Sequence, residues 1–454
     1  MRIAHKAMPF DNFYLGCKHL FISIRDKHVK VTYNLLGILC GMASPELKTK
    51  PICMPLPVVM KKRIGSGTFR IAAILSPRSH AYVKIGFVLY DYYPFGGLQE
   101  DCLATAVATA ERGHEVHIFA RTWKGEQPEG IHAHLLGKTG WSNISRNDHF
   151  FRALESELPK HQLDGVVAFS RIPGADIYFA ADPCYVERVK DKSALFKWSP
   201  RHRYYKTLEQ TVFGSANSPE TLVLTDREID AFHQHYGSSR EQFHLLPPGV
   251  DRNTNSQAEA ANNRQELRTE LGTAQDATVA LFVGSGFRIK GLDRALRAIR
   301  ANQSTAPQLE FWVVGNGKQS RFASLAKQAG VTVRFLGGRA DTGRFYDAAD
   351  FLLHPAYSES AGKVLLEALT HGLPVLTTDT CGYAPHILKA DAGAVIESPF
   401  SQDALNQTVK EFIQNPDKRQ TMCENALAYA ATEDLYTCHQ AAAEIIEKIL
   451  SKKT

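Results

Sequence analysis

The chain reads as an α/β protein built from two doubly wound domains that face one cleft. Short apolar runs alternate with helical stretches in two successive series, a Gly-containing turn follows the first run of each series, and Pro247-Pro248-Gly249 separates them. The first series opens at Lys84–Tyr90, turns at 94–97, continues as an Ala-rich helix over Gln99–Arg112 and returns as a strand at Glu115–Ala120. Further runs at Asp164–Phe169, Ile177–Ala180, Thr221–Leu224 and Phe243–Leu246 extend that sheet. A polar stretch, Asn253–Asn263, precedes the second series. Its strands are expected at Thr278–Val283, Glu310–Val314, Val331–Leu336, Phe351–Leu353 and Pro374–Thr377, with helices at Gly291–Arg300, Phe322–Gln328 and Ala361–Thr370. A last helix, Asp434–Lys448, carries a stripe of Ala441, Ala442, Ile445, Ile446 and Leu450 that must pack against another element. The expected organisation is therefore a poorly ordered extension (1–82), an N-terminal domain (83–249), a C-terminal domain (250–432) and a terminal helix (433–454).

Length and composition agree with this reading. The 454 residues make two to three average domains, and 44% hydrophobic with 22% charged residues is ordinary globular composition. A formal net charge of +6 is too small for a nucleic-acid-binding surface, so no nucleic-acid partner is expected. Eight cysteines without a C-x-x-C pair indicate neither a disulfide framework nor a zinc site, and a reducing cytosol is the expected compartment. The longest uncharged stretch, Val31–Pro45, contains Asn34, Gly37 and Gly41 and falls short of the roughly 20 apolar residues of a spanning helix. It also lies behind a charged leader, so neither a transmembrane helix nor a signal peptide is expected.

Three motifs carry chemistry. In Tyr93-Pro94-Phe95-Gly96-Gly97-Leu98-Gln99, Gly96 and Gly97 stand between a strand and a helix start, where bare amides and the helix dipole can meet a phosphate or a sugar oxygen. A tight turn needing positive φ is the competing account. In Gly284-Ser285-Gly286-Phe287-Arg288-Ile289-Lys290-Gly291, Arg288 and Lys290 precede a helix and can neutralise a diphosphate, or can be solvated cations. In His354–Ala368, Glu359 falls in the turn and Glu367 inside the helix, eight residues on. Ionised carboxylates accept pairs of adjacent hydroxyl hydrogens and so suit a polyhydroxylated ligand. The alternative makes Glu359 a helix-dipole partner and Glu367 a surface charge.

Between Tyr185 and Phe213, the cations Lys197, Arg201, Arg203 and Lys206 are interleaved with Trp198 and Tyr204. Cations mixed with aromatics suit contact with an anionic membrane surface, against a solvated face or an RNA contact.

Together, P-F-G-G-L-Q, the basic residues before K-G and H-P-A-Y-x-E-x-A-G-x-V-L-L-E-A resemble the retaining glycosyltransferases of family four, which have the GT-B fold of two Rossmann-like domains. Tyr178–Asp182, Tyr204-Tyr205, Leu245–Gly249 and Pro374–Thr378 with Cys381–Ala384 are similar to the group that glucosylates the first heptose of the lipopolysaccharide inner core. The similarity runs from about Lys84 to the C-terminus.

This resemblance implies UDP-glucose as co-substrate, a lipopolysaccharide inner-core acceptor, and a cytoplasmic enzyme held peripherally on the inner face of the inner membrane. By position, Gly96, Gly97 and Gly362 would face the donor, Lys290 and Arg288 its diphosphate, Glu359 the transferred sugar and Glu367 the ribose. Asp101 and Asp182 would line the acceptor side. Two positions depart from the family pattern: Ile289 stands where an arginine usually precedes the lysine, and Glu100 replaces a common basic residue. No Asp-x-Asp pair occurs in the chain, so Lys290 and Arg288 are expected to replace a metal. A GT-B enzyme using another sugar nucleotide, a UDP-sugar epimerase and a non-catalytic sugar-nucleotide or glycolipid binder are the alternatives.

Overall fold

The computed structural model describes residues 59–64, 67–72, 82–94, 96–214, 218–306 and 308–453. Two compact units result, Met1–Ser79 and His80–Thr454. In the first, β1 (Val59–Ile64) and β2 (Gly67–Ala72) pair antiparallel, Val59 opposite Ala72. Both strands fall within the segment 1–82 expected to be a poorly ordered extension, most of which lies outside the described residues. The Val31–Pro45 stretch lies outside the described residues.

The second unit holds two parallel sheets. The N-terminal lobe contains β3 (Lys84–Val88), β5 (Glu115–Ala120), β7 (Ile131–Leu135), β8 (Gly165–Ala168), β9 (Ile177–Ala180), β10 (Glu220–Val223) and β11 (Phe243–Leu245). A small pair, β4 (Asp91–Tyr92) with β6 (Thr122–Trp123), lies beside them. The seven strands run β11-β10-β9-β8-β3-β5-β7. The C-terminal lobe orders β12 (Thr278–Val283), β13 (Leu309–Val314), β14 (Thr332–Gly337), β15 (Phe351–His354), β16 (Val375–Thr378) and β17 (Gly393–Ile396) as β14-β13-β12-β15-β16-β17. Ranked by chain position, both sheets read 3-2-1-4-5-6, with β11 added at the far edge of the first. Helices cover both faces, which is why β9, β15 and β16 are buried at every residue and read as continuous apolar runs.

Two expectations change in detail. The Asn/Gln-rich stretch after the Pro-Pro-Gly break is helical over Gln257–Glu270, nucleated by a capping box in which Ser256 and Glu259 satisfy each other's backbone amides. The last helix begins at Cys438, because Asp434 accepts hydrogen bonds from the Tyr436 and Thr437 amides and holds the preceding turn. That helix returns to the N-terminal lobe and packs on the helix Gly97–Glu111, burying Ala442, Ala443, Ile446 and Leu450. Arg112 donates to Glu447 at 2.7 Å across this contact. The five cysteines among the described residues are free.

Candidate active site

In a 3-2-1-4 sheet the loops leaving strands 1 and 4 diverge to opposite faces and open a crevice at their carboxyl ends. The first lobe places its crevice after β3 and β8, the second after β12 and β15. Both open into one cavity of about 1140 Å³ lined by Gly96, Gly97, Arg171, Lys290, Glu359 and Glu367 among others. An adjoining cavity of about 640 Å³ shares Ser285, Asn316 and Glu367 with it and continues toward Asn253 and Arg339.

In the C-terminal lobe, the loops after β12 and β15 are tied together where the Tyr357 amide donates to the Ile289 carbonyl at 2.8 Å. The second loop is further held at the Ala356 carbonyl, which accepts from Thr378 and Thr380 at 2.8 Å each and from Arg294 at 3.0 Å. Gly291 makes this approach possible: its φ is +78°, and a Cβ there would collide with the Pro355 carbonyl. The result is an ion pair between Lys290 Nζ and Glu359 Oε2 at the cavity wall. Burial pulls the Lys290 ammonium down to about 8, against Cys381 and Asp182, which favour the charged form. His354 lies beneath them, its Nε2 3.7 Å from Glu359. Burial drives that ring down to about 3, so it stays neutral and adds no charge to the site.

Gly362, at φ +92°, turns the chain into the helix Lys363–Thr370, and Glu367 follows inside it. Glu367 is half-buried and accepts a hydrogen bond from Tyr346 Oη at 2.6 Å. Burial raises its pKa, while Tyr346 and Lys363 oppose that rise. It lines both cavities, and a free surface charge does not describe it.

In the N-terminal lobe, Gly96 is the N-cap of the Gly97–Glu111 helix with φ −107°, and no side chain caps the first turn. Neither Gly96 nor Gly97 needs positive φ, so the tight-turn account of this pair fails. At Gly96 a Cβ would crowd Gln99 and Tyr93, while nothing lies within 4 Å of one at Gly97. Uncapped amides at the cavity wall are an anion-accepting feature.

One expected residue stands elsewhere, and a second lines the cavity with its carboxylate already engaged. Arg288 is exposed and does not line either cavity, because Phe287 beside it is buried against Phe322 and the turn points Arg288 outward. Asp101 is 2% exposed and its Oδ1 is occupied by Lys363 Nζ at 2.5 Å and His439 Nε2 at 2.9 Å. It is a link between the lobes more than a free acid. Asp182 is solvent-exposed at the cavity, 3.9 Å from Arg171.

Arg171 was not singled out by sequence. It lines the cavity after β8, held by Glu209 at 2.7 Å and the Pro183 carbonyl at 2.6 Å. Its position immediately after a buried strand was the available signal. In the basic segment, Lys197, Trp198, Arg203 and Lys206 are exposed, Trp198 at 81% beside Leu195 at 85%. Arg201 lines the cavity, and Tyr204 turns inward to donate to Asp148 at 2.9 Å. Among the described residues, no helix is long and apolar enough to cross a membrane.

Two facing 3-2-1-4-5-6 sheets, with a cation and paired acids where their carboxyl ends meet, define a GT-B glycosyltransferase. Residues 95–254 match the family described as Glycosyltransferase Family 4, and residues 263–428 the one described as Glycosyl transferases group 1. The chain is 40% identical over 366 residues to lipopolysaccharide glucosyltransferase WaaG of Escherichia coli K12, covering 80% of this chain and 98% of that protein. It is 30% identical over 376 residues to a D-inositol 3-phosphate glycosyltransferase of Corynebacterium kroppenstedtii, covering 74% and 81%. The crystal structure of WaaG, a glycosyltransferase involved in lipopolysaccharide biosynthesis, superposes with a TM-score of 0.76 over 80% of this chain and 99% of that one. The chain belongs to the family-4 glycosyltransferases of the WaaG type and is a hexosyltransferase.

Proposed function

We propose that this hexosyltransferase moves glucose from UDP-glucose to a heptose of the lipopolysaccharide inner core, with retention of configuration. The observation that carries the reading is the Lys290–Glu359 pair at the cavity wall, with Glu367 in the helix that follows Glu359. In this reading, Lys290 and the uncapped amides at Gly96 and Gly97 meet the diphosphate, where negative charge grows as the sugar leaves. Glu359 is released from Lys290 by that anion and accepts the glucose hydroxyls. Glu367, oriented by Tyr346, holds the ribose, and the adjoining cavity takes the base. Gly362 keeps the chain close enough for both acids to face one ligand. Asp182 and Arg171 border the acceptor side, and no metal is required. The exposed Leu195, Trp198, Lys197, Arg203 and Lys206 rest on the anionic inner face of the inner membrane, where the lipid-anchored acceptor lies.

The test offers UDP-glucose, UDP-galactose and UDP-N-acetylglucosamine to core-truncated lipopolysaccharides, scored by product mass and anomeric configuration. One added glucose, only where heptose is exposed and only from UDP-glucose, is expected. Release of altered sugar nucleotide without acceptor would mark an epimerase instead.

A further inference from the structure

Outside the cleft, the edge of the first sheet gathers four histidines. His117 stands on β5, His132 and His134 on the edge strand β7, and His161 in the turn Leu158–His161 that follows the helix Asn143–Glu157. The parallel register pairs His117 with His132 and Phe119 with His134, so these three histidines and Phe119 share one face. His161 closes over them, its ring centroid 4.3 Å from His134 and 5.3 Å from His117. None of the four lines the cavities described above.

The nitrogens converge. His117 Nδ1 lies 2.9 Å from His134 Nε2, and one ring nitrogen from each of His117, His134 and His161 falls within 4.8 Å of the others. Tetrahedral zinc with Zn–N bonds of about 2.0–2.1 Å requires its nitrogens about 3.4 Å apart, which small ring rotations supply. Two carboxylates complete the pattern. Glu115 Oε1 accepts from His117 Nε2 at 2.9 Å, and Glu157 Oε1 from His161 Nε2 at 3.0 Å. A neutral imidazole has one N–H, so a carboxylate that claims it at Nε2 leaves a lone pair on Nδ1, as in metal-bound histidines backed by carboxylates; in His117 that lone pair accepts from His134 Nε2, a bond a metal ion would replace. Stacking on Phe119, which sits 4.6 Å from the His134 ring, would need neither carboxylate.

We propose that His117, His134 and His161 form a zinc-binding site on the N-terminal lobe, oriented by Glu115 and Glu157, with solvent as the fourth ligand. Three imidazoles suit zinc among the abundant divalent cations. Its consequence is structural: the ion ties the turn after the helix Asn143–Glu157 to the sheet edge.

The test uses the full chain without a histidine tag, stripped with chelator and titrated with zinc chloride alone, with bound metal counted after gel filtration. One zinc per chain and a raised Tm are expected. His134→Gln and His161→Gln should each weaken binding at least tenfold and abolish the zinc-dependent rise in Tm, while transfer activity stays at the wild-type level. Glu157→Gln, which leaves all ligands in place, should weaken binding severalfold and covers the case in which a histidine variant fails to fold. No uptake by the wild-type chain, or equal uptake by a folded His134→Gln or His161→Gln chain, overturns the site and leaves the histidines as packing for Phe119. Unchanged affinity in Glu157→Gln overturns the carboxylate's part in it.

Discussion

Lys363 of the C-terminal lobe reaches Asp101 of the N-terminal lobe at 2.5 Å, and His439 of the returning last helix binds the same carboxylate oxygen. Burial raises the Asp101 pKa, but Lys363 and His439 outweigh it, and the net shift is downward. A carboxyl held low stabilises the fold above its unfolded value of about 3.9 and loses that contribution as pH falls through its folded value. Asp101→Asn is therefore expected to cost about 3 kcal/mol at neutral pH, since it leaves a largely buried cation uncompensated, and to make acid unfolding less steep. Denaturant melts at pH 7 and pH 3 check it; equal stability of both proteins at pH 7 would argue against the link.

Glu367→Gln should raise the Kd for UDP by about ten- to a hundredfold, the equivalent of a charge-assisted hydrogen bond worth about 1.5–3 kcal/mol. Tyr346→Phe, which only frees the orienting bond, should have a smaller effect in the same direction. Isothermal titration with UDP separates the two, and unchanged affinity in Glu367→Gln would remove the ribose role.

Lys290 supplies a pH signature. Its ammonium, pulled down to about 8 by burial, is charged below that pH and neutral above it. UDP affinity should be level on the acid side and fall as pH rises through about 8, and Lys290→Arg should flatten the fall, because arginine stays protonated. A flat profile in the wild-type chain would count against Lys290 as the diphosphate cation.

Membrane contact is expected to be additive over the exposed cations. Neutralising Lys197, Arg203 and Lys206 to glutamine should weaken binding to anionic vesicles by on the order of 100-fold, at about 1 kcal/mol for each cation near the surface. Trp198→Ser should reduce binding with less salt dependence. Vesicle sedimentation at two ionic strengths reads both.

Residues 80–454 form a compact unit. A chain starting at His80 should keep the turnover of the full-length protein, measured on the same acceptor. A folded but inactive truncation would show that the hairpin segment takes part.

Much of this was written in local pattern. Parallel strands buried on both faces announce themselves as apolar runs, so β3, β5, β9, β12 and β15 were legible within a residue or two, as were the turns that follow them. Glu359 and Glu367 were legible because both sit in one continuous strand-turn-helix motif. The edge strand β7 was not, since its His132 and His134 break the apolar pattern that an enclosed strand keeps. The helix Gln257–Glu270 was hidden by polar composition, although its capping box stood in plain view.

What the linear order left open depends on contacts between residues far apart in the chain. Arg171 belongs to the cleft because β8 neighbours β3, which spacing does not reveal. Arg288 leaves it because Phe287 is the residue buried there. Asp101 becomes a lobe-to-lobe partner because residues 363 and 439 arrive from the other end of the chain, and the histidine cluster exists because two strands and a turn converge. Periodicity records which side of its own element a residue occupies; the company it keeps there is set by how the elements pack.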